Sequence, residues 1–369
     1  MSNEFFNMKI KILGCLTAAL FLLAAVSVLG HVSAAPGVGN VYTEDNSVTG
    51  NSILQYQVGH SGALTFAGSF SSQGLGTGSA LASQGAVALT NDGHWLIAVD
   101  AGSNQITVFQ VNNDGSLNFA SIAGSQGASP ISLAVDGNLV FVLNSGTPSI
   151  AGFNLGRTGG LTFIPGSVQP LSGIASSSPE QVGFADNGNL LVVTEKAAGV
   201  IDTYTVGHDG VTSPPSVTAA NGAGPYGFGT TPQGFLVVSE AASGSASSYS
   251  VSDGGSLRTI SGAIPDFGNA PCWLLVSHDG RFAYADNAHA PSTISVYSIS
   301  GQGTLALVSS VAAKTTAPSL DMALSLNGQF LYVLNGGHIT AFQTYPDGGI
   351  AQVSIVGGLT SSATGLAAN

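Results

Sequence analysis

Short apolar runs recur along this chain in pairs, each pair joined by a polar residue and a glycine. The runs that follow these turns read HWLIAVD, NLVFVLN, NLLVVTE, FLVVSE, RFAYADN and QFLYVLN. The turn glycines are Gly93, Gly137, Gly188, Gly234, Gly280 and Gly328, spaced by 44, 51, 46, 46 and 48 residues. A period of this length marks an array or a propeller. Each unit holds four strand-like runs. In the unit that opens at Gln84 they are GAVALT, HWLIAVD, QITVFQV and SLNFASI, separated by Asn-Asp-Gly, Gly-Ser-Asn and Asn-Asn-Asp-Gly. Such pairs suit tight hairpins, whose central residues need positive φ. The second run of each unit is apolar at nearly every position, as in Leu139 to Leu143 and Leu190 to Val193. A half-exposed strand would alternate, so both faces of this one are covered. The pattern predicts an all-β chain: a seven-bladed propeller of four-stranded antiparallel blades over residues 35–369.

The count reaches seven only if the two termini share a blade. NVYTEDN matches a second strand, with ILQYQV and LTFAGSF as third and fourth. The missing first strand is supplied by SSATGLAAN at the other end, which resembles the SQGAVALTN that opens the next unit. The C-terminal strand therefore closes the ring and removes two open edges.

Strand direction sorts the loops onto two faces. The second-to-third loops and fourth-to-first connections share one face, and it carries the richer chemistry. Glu44, Asp100, Asn144, Glu195, Glu240, Asn287 and Asn335 end the second strands, one per blade. Glu180, Tyr226, Cys272, Trp273 and Asp321 stand near the starts of first strands, several just after a proline. Asp and Asn suit turns for structural reasons, because they hydrogen-bond nearby backbone. Glu lacks that preference, which singles out Glu195 and Glu240 as general-base candidates. Tyr226 and Trp273 either line a ligand pocket or plug the channel. His289, after Asp286 and Asn287, is placed on this face.

Residues 1–34 read as a signal peptide. Lys9 and Lys11 precede an apolar stretch over 12–29, and Val32-Ser33-Ala34 supplies small residues for cleavage. An uncleaved anchor is the alternative, since the stretch is just long enough to span a bilayer. Without the leader there are five bases (Arg157, Lys196, Arg258, Arg281 and Lys314) against eighteen acids. That balance excludes nucleic acid as a partner and disfavours highly phosphorylated ligands. Only Cys272 remains after processing, so no intrachain disulfide forms. No His or Cys pair has metal-ligand spacing, and no cofactor is expected. Gly222 to Gly227 matches a dinucleotide fingerprint literally, but leads into a strand instead of a helix. No Gly-x-Ser-x-Gly elbow is present.

GSFSSQGLGTG, AGSNQITVF, SPEQVGF, VVTEKAAGVIDTYTVG, PYGFG, VVSEA and PCWLLVSHDGRFAYADN resemble the exported bacterial members of the β-propeller lactonase family. That family includes 6-phosphogluconolactonases and 3-carboxymuconate cyclases. The resemblance implies a seven-bladed propeller with a pocket at one mouth of the channel, and lactone chemistry there. It also implies a His, a Glu and arginines around that mouth. Here the positions after the fourth-to-first prolines are Glu180, Tyr226 and Cys272, and the plausible cation is Lys196. The expectation is an exported monomer that hydrolyses a small sugar-acid or dicarboxylate lactone. Glu195 or Glu240 acts as base and Lys196 or loop amides stabilise the oxyanion. Glu44, Asp100, Glu180, Tyr226, Trp273 and His289 are the binding candidates. The alternative is a non-catalytic extracellular protein that binds a glycan or a protein partner, without stable membrane insertion after processing.

Overall fold

The computed structural model describes residues 38–316 and 318–369. The leader assignment lies outside the described residues, and so does Ala317. Seven antiparallel sheets form in sequence order, and their innermost strands contact one another in a closed ring. Blade 1 pairs the C-terminal strand Thr364–Ala368 with Gly39–Glu44, Ser52–Val58 and Leu64–Ser71. The closing pairs are Val41 with Ala368, Tyr42 with Ala367 and Glu44 with Thr364. Blades 2 to 7 each run from an inner first strand to an outer fourth strand. The fourth strand of blade 3 is interrupted, pairing first through Leu161–Phe163 and again through Gln169–Pro170. The expected fold, ring closure included, is the fold observed.

The hairpin reading holds at the level of the backbone. All six turn glycines have positive φ, from 54° at Gly137 to 86° at Gly188. A side chain there would force a strained conformation, which is why glycine recurs with the period of the blades.

The second strands are the most covered elements. Every residue of Leu190–Glu195 and Phe330–Asn335 is buried. Apolar side chains of neighbouring blades meet between the sheets: Ile97 and Val99 of blade 2 pack in one cluster with Val140, Val142 and Phe153 of blade 3. Each blade is thus sandwiched by its neighbours, and no separate central core is needed.

The first strands of blades 3 to 6 begin on Pro130, Pro179, Pro225 and Pro271. Proline is tolerated at a strand's first residue, where no ladder hydrogen bond is lost. In all four blades the register shifts immediately afterwards: Pro179 faces Glu195, yet Gln181 faces Thr194. Glu180, Cys272 and Tyr226 fall within these shifts. A bulge leaves a residue out of the ladder and re-aims its side chain. Proline followed by a bulge therefore places chemistry-bearing side chains on the inner rim.

Candidate functional site at the channel rim

The channel is closed on this face by the chain itself. Residues 81–85, in the connection from blade 1 to blade 2, lie across the axis and bond to the other blades. Leu81 N–H donates to Thr364 Oγ1 at 3.3 Å in blade 1, and Ser83 Oγ donates to the Ile131 carbonyl at 2.7 Å in blade 3. Gln84 N–H donates to the Glu180 carbonyl at 3.2 Å in blade 4. The Tyr226 hydroxyl of blade 5 donates to the Ala82 carbonyl, and Trp273 Nε1 of blade 6 donates to the Ser83 carbonyl at 3.3 Å. Gly85 N–H donates to Asp321 Oδ2 at 3.3 Å in blade 7. Of the two sequence readings of Tyr226 and Trp273, the plug describes both indole and phenol. Gly227 makes the approach possible: a Cβ there would stand 2.4 Å from Gln84 Oε1 and 2.7 Å from Leu274 N.

Beside this plug, at the rim of blades 3 and 4, opens a cavity of about 720 Å³. Leu81 and Ala82 form one wall. Ile131, Leu171 and Ile174 supply apolar surface, and Ser145, Ser176, Ser177 and Ser178 supply hydroxyls. Glu180, Glu195 and Lys196 bring the charge. Glu180 is buried, accepts from Ser178 Oγ at 2.9 Å, and lies 4.0 Å from Lys196 Nζ. Lys196 also sits over the Tyr226 ring, 5.0 Å from its centroid. Loss of hydration pushes the Glu180 carboxyl up to about 7, against the opposing pull of the Lys196 ammonium. The Ser177 hydroxyl is buried in the lining and bonds to nothing in the protein. An unpaired buried hydroxyl is costly, so a ligand oxygen or water is its natural partner.

The seven residues that end the second strands do not form an exposed ring. All are fully buried. Glu240 accepts from Gly222 N–H at 2.7 Å and from the hydroxyls of Ser245 and Ser247 at 2.6 Å each. It does not line the cavity. Glu195 accepts from Ser172 N–H at 3.0 Å. Both carboxylates therefore serve backbone of the connection that enters their own blade. Of the two general-base candidates, Glu195 reaches the cavity lining and Glu240 does not, and both strand ends are roofed by loop backbone that needs acceptors. Glu44 and Asp100 are linked by Asn51 Nδ2, at 2.8 and 3.0 Å, inside the protein. His289 is exposed, outside the cavity lining, with its backbone N–H bonded to Asn269 O. Burial pushes the Cys272 thiol up to about 12, which removes thiolate character at neutral pH.

Sequence reasoning missed Gln84 and Asp202. Gln84 was legible only as a polar residue ahead of an innermost strand. Asp202 stands in the middle of a third strand between valines in register, Val193 and Val217, a polar interruption of an otherwise buried position.

A second cavity, about 590 Å³, opens on the opposite face among the first-to-second turns. Its acids Asp136 and Asp186 are partly solvated, and its histidine, His278, is exposed. Among the described residues no cluster of three or more His, Cys, Asp or Glu is arranged to hold a metal, and no helix is long and apolar enough to cross a membrane.

The geometry agrees with known proteins. A protein of Lactobacillus plantarum superposes with a TM-score of 0.72 at 18% identity, covering 90% of this chain and 99% of its own. A proposed 6-phosphogluconolactonase of Bacteroides fragilis gives 0.70 at 17% identity, over 90% and 98%. A periplasmic gluconolactonase of Pseudomonas aeruginosa gives 0.68 at 17% identity, over 89% and 98%. At these identities the likeness is one of fold. A search of curated proteins finds no match. The family profile described as lactonase, 7-bladed beta-propeller, matches residues 49–175 and 175–354, most of the chain. On that match, the chain belongs to the seven-bladed β-propeller lactonase family.

Proposed function

We propose that this protein hydrolyses a small, non-phosphorylated lactone in the rim cavity, with Glu180 as the base. The observation that carries the reading is the Glu180–Lys196 pair: a buried carboxyl pushed up to about 7, 4.0 Å from an ammonium, in a cavity sized for a small molecule. Ionised Glu180 takes a proton from water as its oxygen attacks the lactone carbonyl carbon. Lys196 stabilises the oxyanion that forms. As the tetrahedral intermediate collapses, the ring C–O bond breaks and protonated Glu180 returns its proton to the departing alkoxide.

The lining argues against a phosphate. Two acids, Glu180 and Glu195, face one base, and that base is already paired. A phosphate dianion needs converging Arg or Lys to replace its hydration. Serine hydroxyls between apolar walls suit a polyol instead, and the free Ser177 hydroxyl offers one direct contact. The apolar leader supports delivery of the chain out of the cytoplasm. The test is turnover of glucono-1,5-lactone beside its 6-phosphate. Faster hydrolysis of the neutral lactone, lost in Glu180→Gln, is the expected result. Hydrolysis at the buffer rate for both substrates would reject the enzymatic reading and leave the binding one.

A further inference from the structure

Five of the seven blades share a local rule that blades 3 and 4 break. The residue ending the second strand meets a hydroxyl or amide on, or just before, the third strand. Glu44 meets Asn51 at 2.8 Å, Asp100 meets Thr107 at 2.6 Å and Glu240 meets Ser247 at 2.6 Å. Asn287 meets Ser295 at 2.9 Å and Asn335 meets Thr340 at 3.3 Å. In blade 3 the Asn144 side chain donates to the Ser125 carbonyl instead, and Ala151 stands at the matching third-strand position. In blade 4 the counterpart of Ser247 is Asp202, so Glu195 faces a second carboxyl. Both residues are fully buried, and Glu195 Oε2 and Asp202 Oδ1 have no other partner. Two carboxylates cannot hydrogen-bond each other unless one keeps a proton.

The groups around the pair offer no cation to replace that proton. The Tyr204 hydroxyl lies 3.5 Å from Asp202 Oδ2 on the same strand. Val193 and Val217 stand beside Asp202 on the flanking strands. The connection from blade 3 contributes Ser172 N–H to Glu195 and the Pro170 carbonyl to the Tyr204 hydroxyl. Lys196, the next residue, is drawn to Glu180.

We infer that Glu195 and Asp202 share one proton, and that this pair is a pH-sensitive latch holding the wall of the rim cavity. The wall, residues 173–178, is held at one end by Ser172, which bonds Glu195, and at the other by the Ser177 and Ser178 carbonyls, which accept from Ala197 and Lys196 N–H at 3.0 and 2.9 Å. The latch stands whatever ligand the cavity takes. Burial and the facing Glu195 carboxyl push Asp202 up to about 8, well above its value when the loop opens and water enters. Between the ordinary carboxylate range and that pH, opening releases a proton, so each unit of rising pH favours opening about tenfold; outside that window the dependence stops. Asp202 acts as a positioning residue, and alkaline conditions loosen the cavity.

Blade 5 provides the control, since Gly222 N–H bonds Glu240 as Ser172 N–H bonds Glu195, with Ser247 where blade 4 has Asp202. The experiment is hydrogen exchange of the full chain at pH 6, 7 and 8, corrected for intrinsic rates. Protection at Ser172 is expected to fall about tenfold from pH 6 to pH 7 and less steeply toward pH 8, while protection at Gly222 holds steady. Asp202→Ser, which copies blade 5, and Asp202→Asn, which donates without a proton, both flatten the Ser172 response. A flat response in the unmodified protein overturns the latch, as does an unchanged slope in both variants. Protection that depends on added calcium or on a chelator, instead of on pH, makes the pair a cation site and equally overturns the shared proton.

Discussion

Gln84 and Leu274, 190 residues apart, exchange two hydrogen bonds: Gln84 Nε2 donates to the Leu274 carbonyl at 2.9 Å, and Leu274 N–H donates to Gln84 Oε1 at 3.1 Å. One side-chain amide thus mimics a strand neighbour for blade 6 while its backbone bonds blade 4. The channel is therefore a filled axis on this face, and the cavity is pushed to the rim between blades 3 and 4.

Gln84→Ala removes both bonds and strands the Leu274 backbone groups away from water. A loss of about 2 to 4 kcal/mol follows from two unsatisfied buried groups. Urea denaturation measures it. A variant as stable as the parent would mean that water replaces the amide and the plug is loosely held.

Deleting residues 360–369 removes the inner strand of blade 1 and leaves Asp321 without the Leu366 N–H that donates to it at 3.0 Å. Loss of the closing ladder is expected to cost several kcal/mol and to expose strand edges that aggregate. Thermal melting with light scattering reports both. An unchanged melting temperature would contradict closure by the C-terminal strand.

Turnover is expected to rise with pH through about 7, as Glu180 ionises. Lys196→Met removes the ammonium that favours the charged form, so the inflection moves to higher pH and the rate drops. Glu180→Gln lowers kcat by about 10² to 10⁴. Glu240→Ala, outside the cavity, is expected to cost about 2 to 4 kcal/mol by orphaning Gly222 N–H and two serine hydroxyls. It should keep turnover per folded molecule. The reverse outcome, a stable but inactive Glu240 variant, would move the base back to the second-strand end.

Stability is expected to fall from pH 5 to pH 8. Burial pushes Asp321 up to about 8, and Asp286 and Glu180 up to about 7. Each raised carboxyl stabilises the fold fully below its unfolded value near 4. That contribution is lost as pH rises toward the folded value, by roughly 1.4 kcal/mol per pH unit while the proton is retained. Melting temperatures across this range test the sign. A maximum near pH 8 would show that these acids are ionised in the folded chain.

The repeat, the blade count and the shared first blade were all legible in the sequence, because they rest on local chemistry. Glycine is favoured in a tight turn where φ is positive, as at Gly93 and Gly280, and a strand covered on both faces is apolar nearly throughout. The loop face was legible too, since strand direction alone sorts the turns. The site was legible only as a set of residues. Glu180, Lys196 and Glu195 are close in sequence order and line one cavity, whereas Glu240 occupies an equivalent repeat position and is spent on Gly222, Ser245 and Ser247. Which carboxylate meets water depends on what roofs it, and that is set by a connection packed from another part of the chain. Residues 81–85 reach six other blades through contacts up to hundreds of positions away in sequence, without any period to announce them. Local pattern determined the ring; only the tertiary structure decided that the ring is plugged and that one buried carboxyl at its rim stands beside an ammonium.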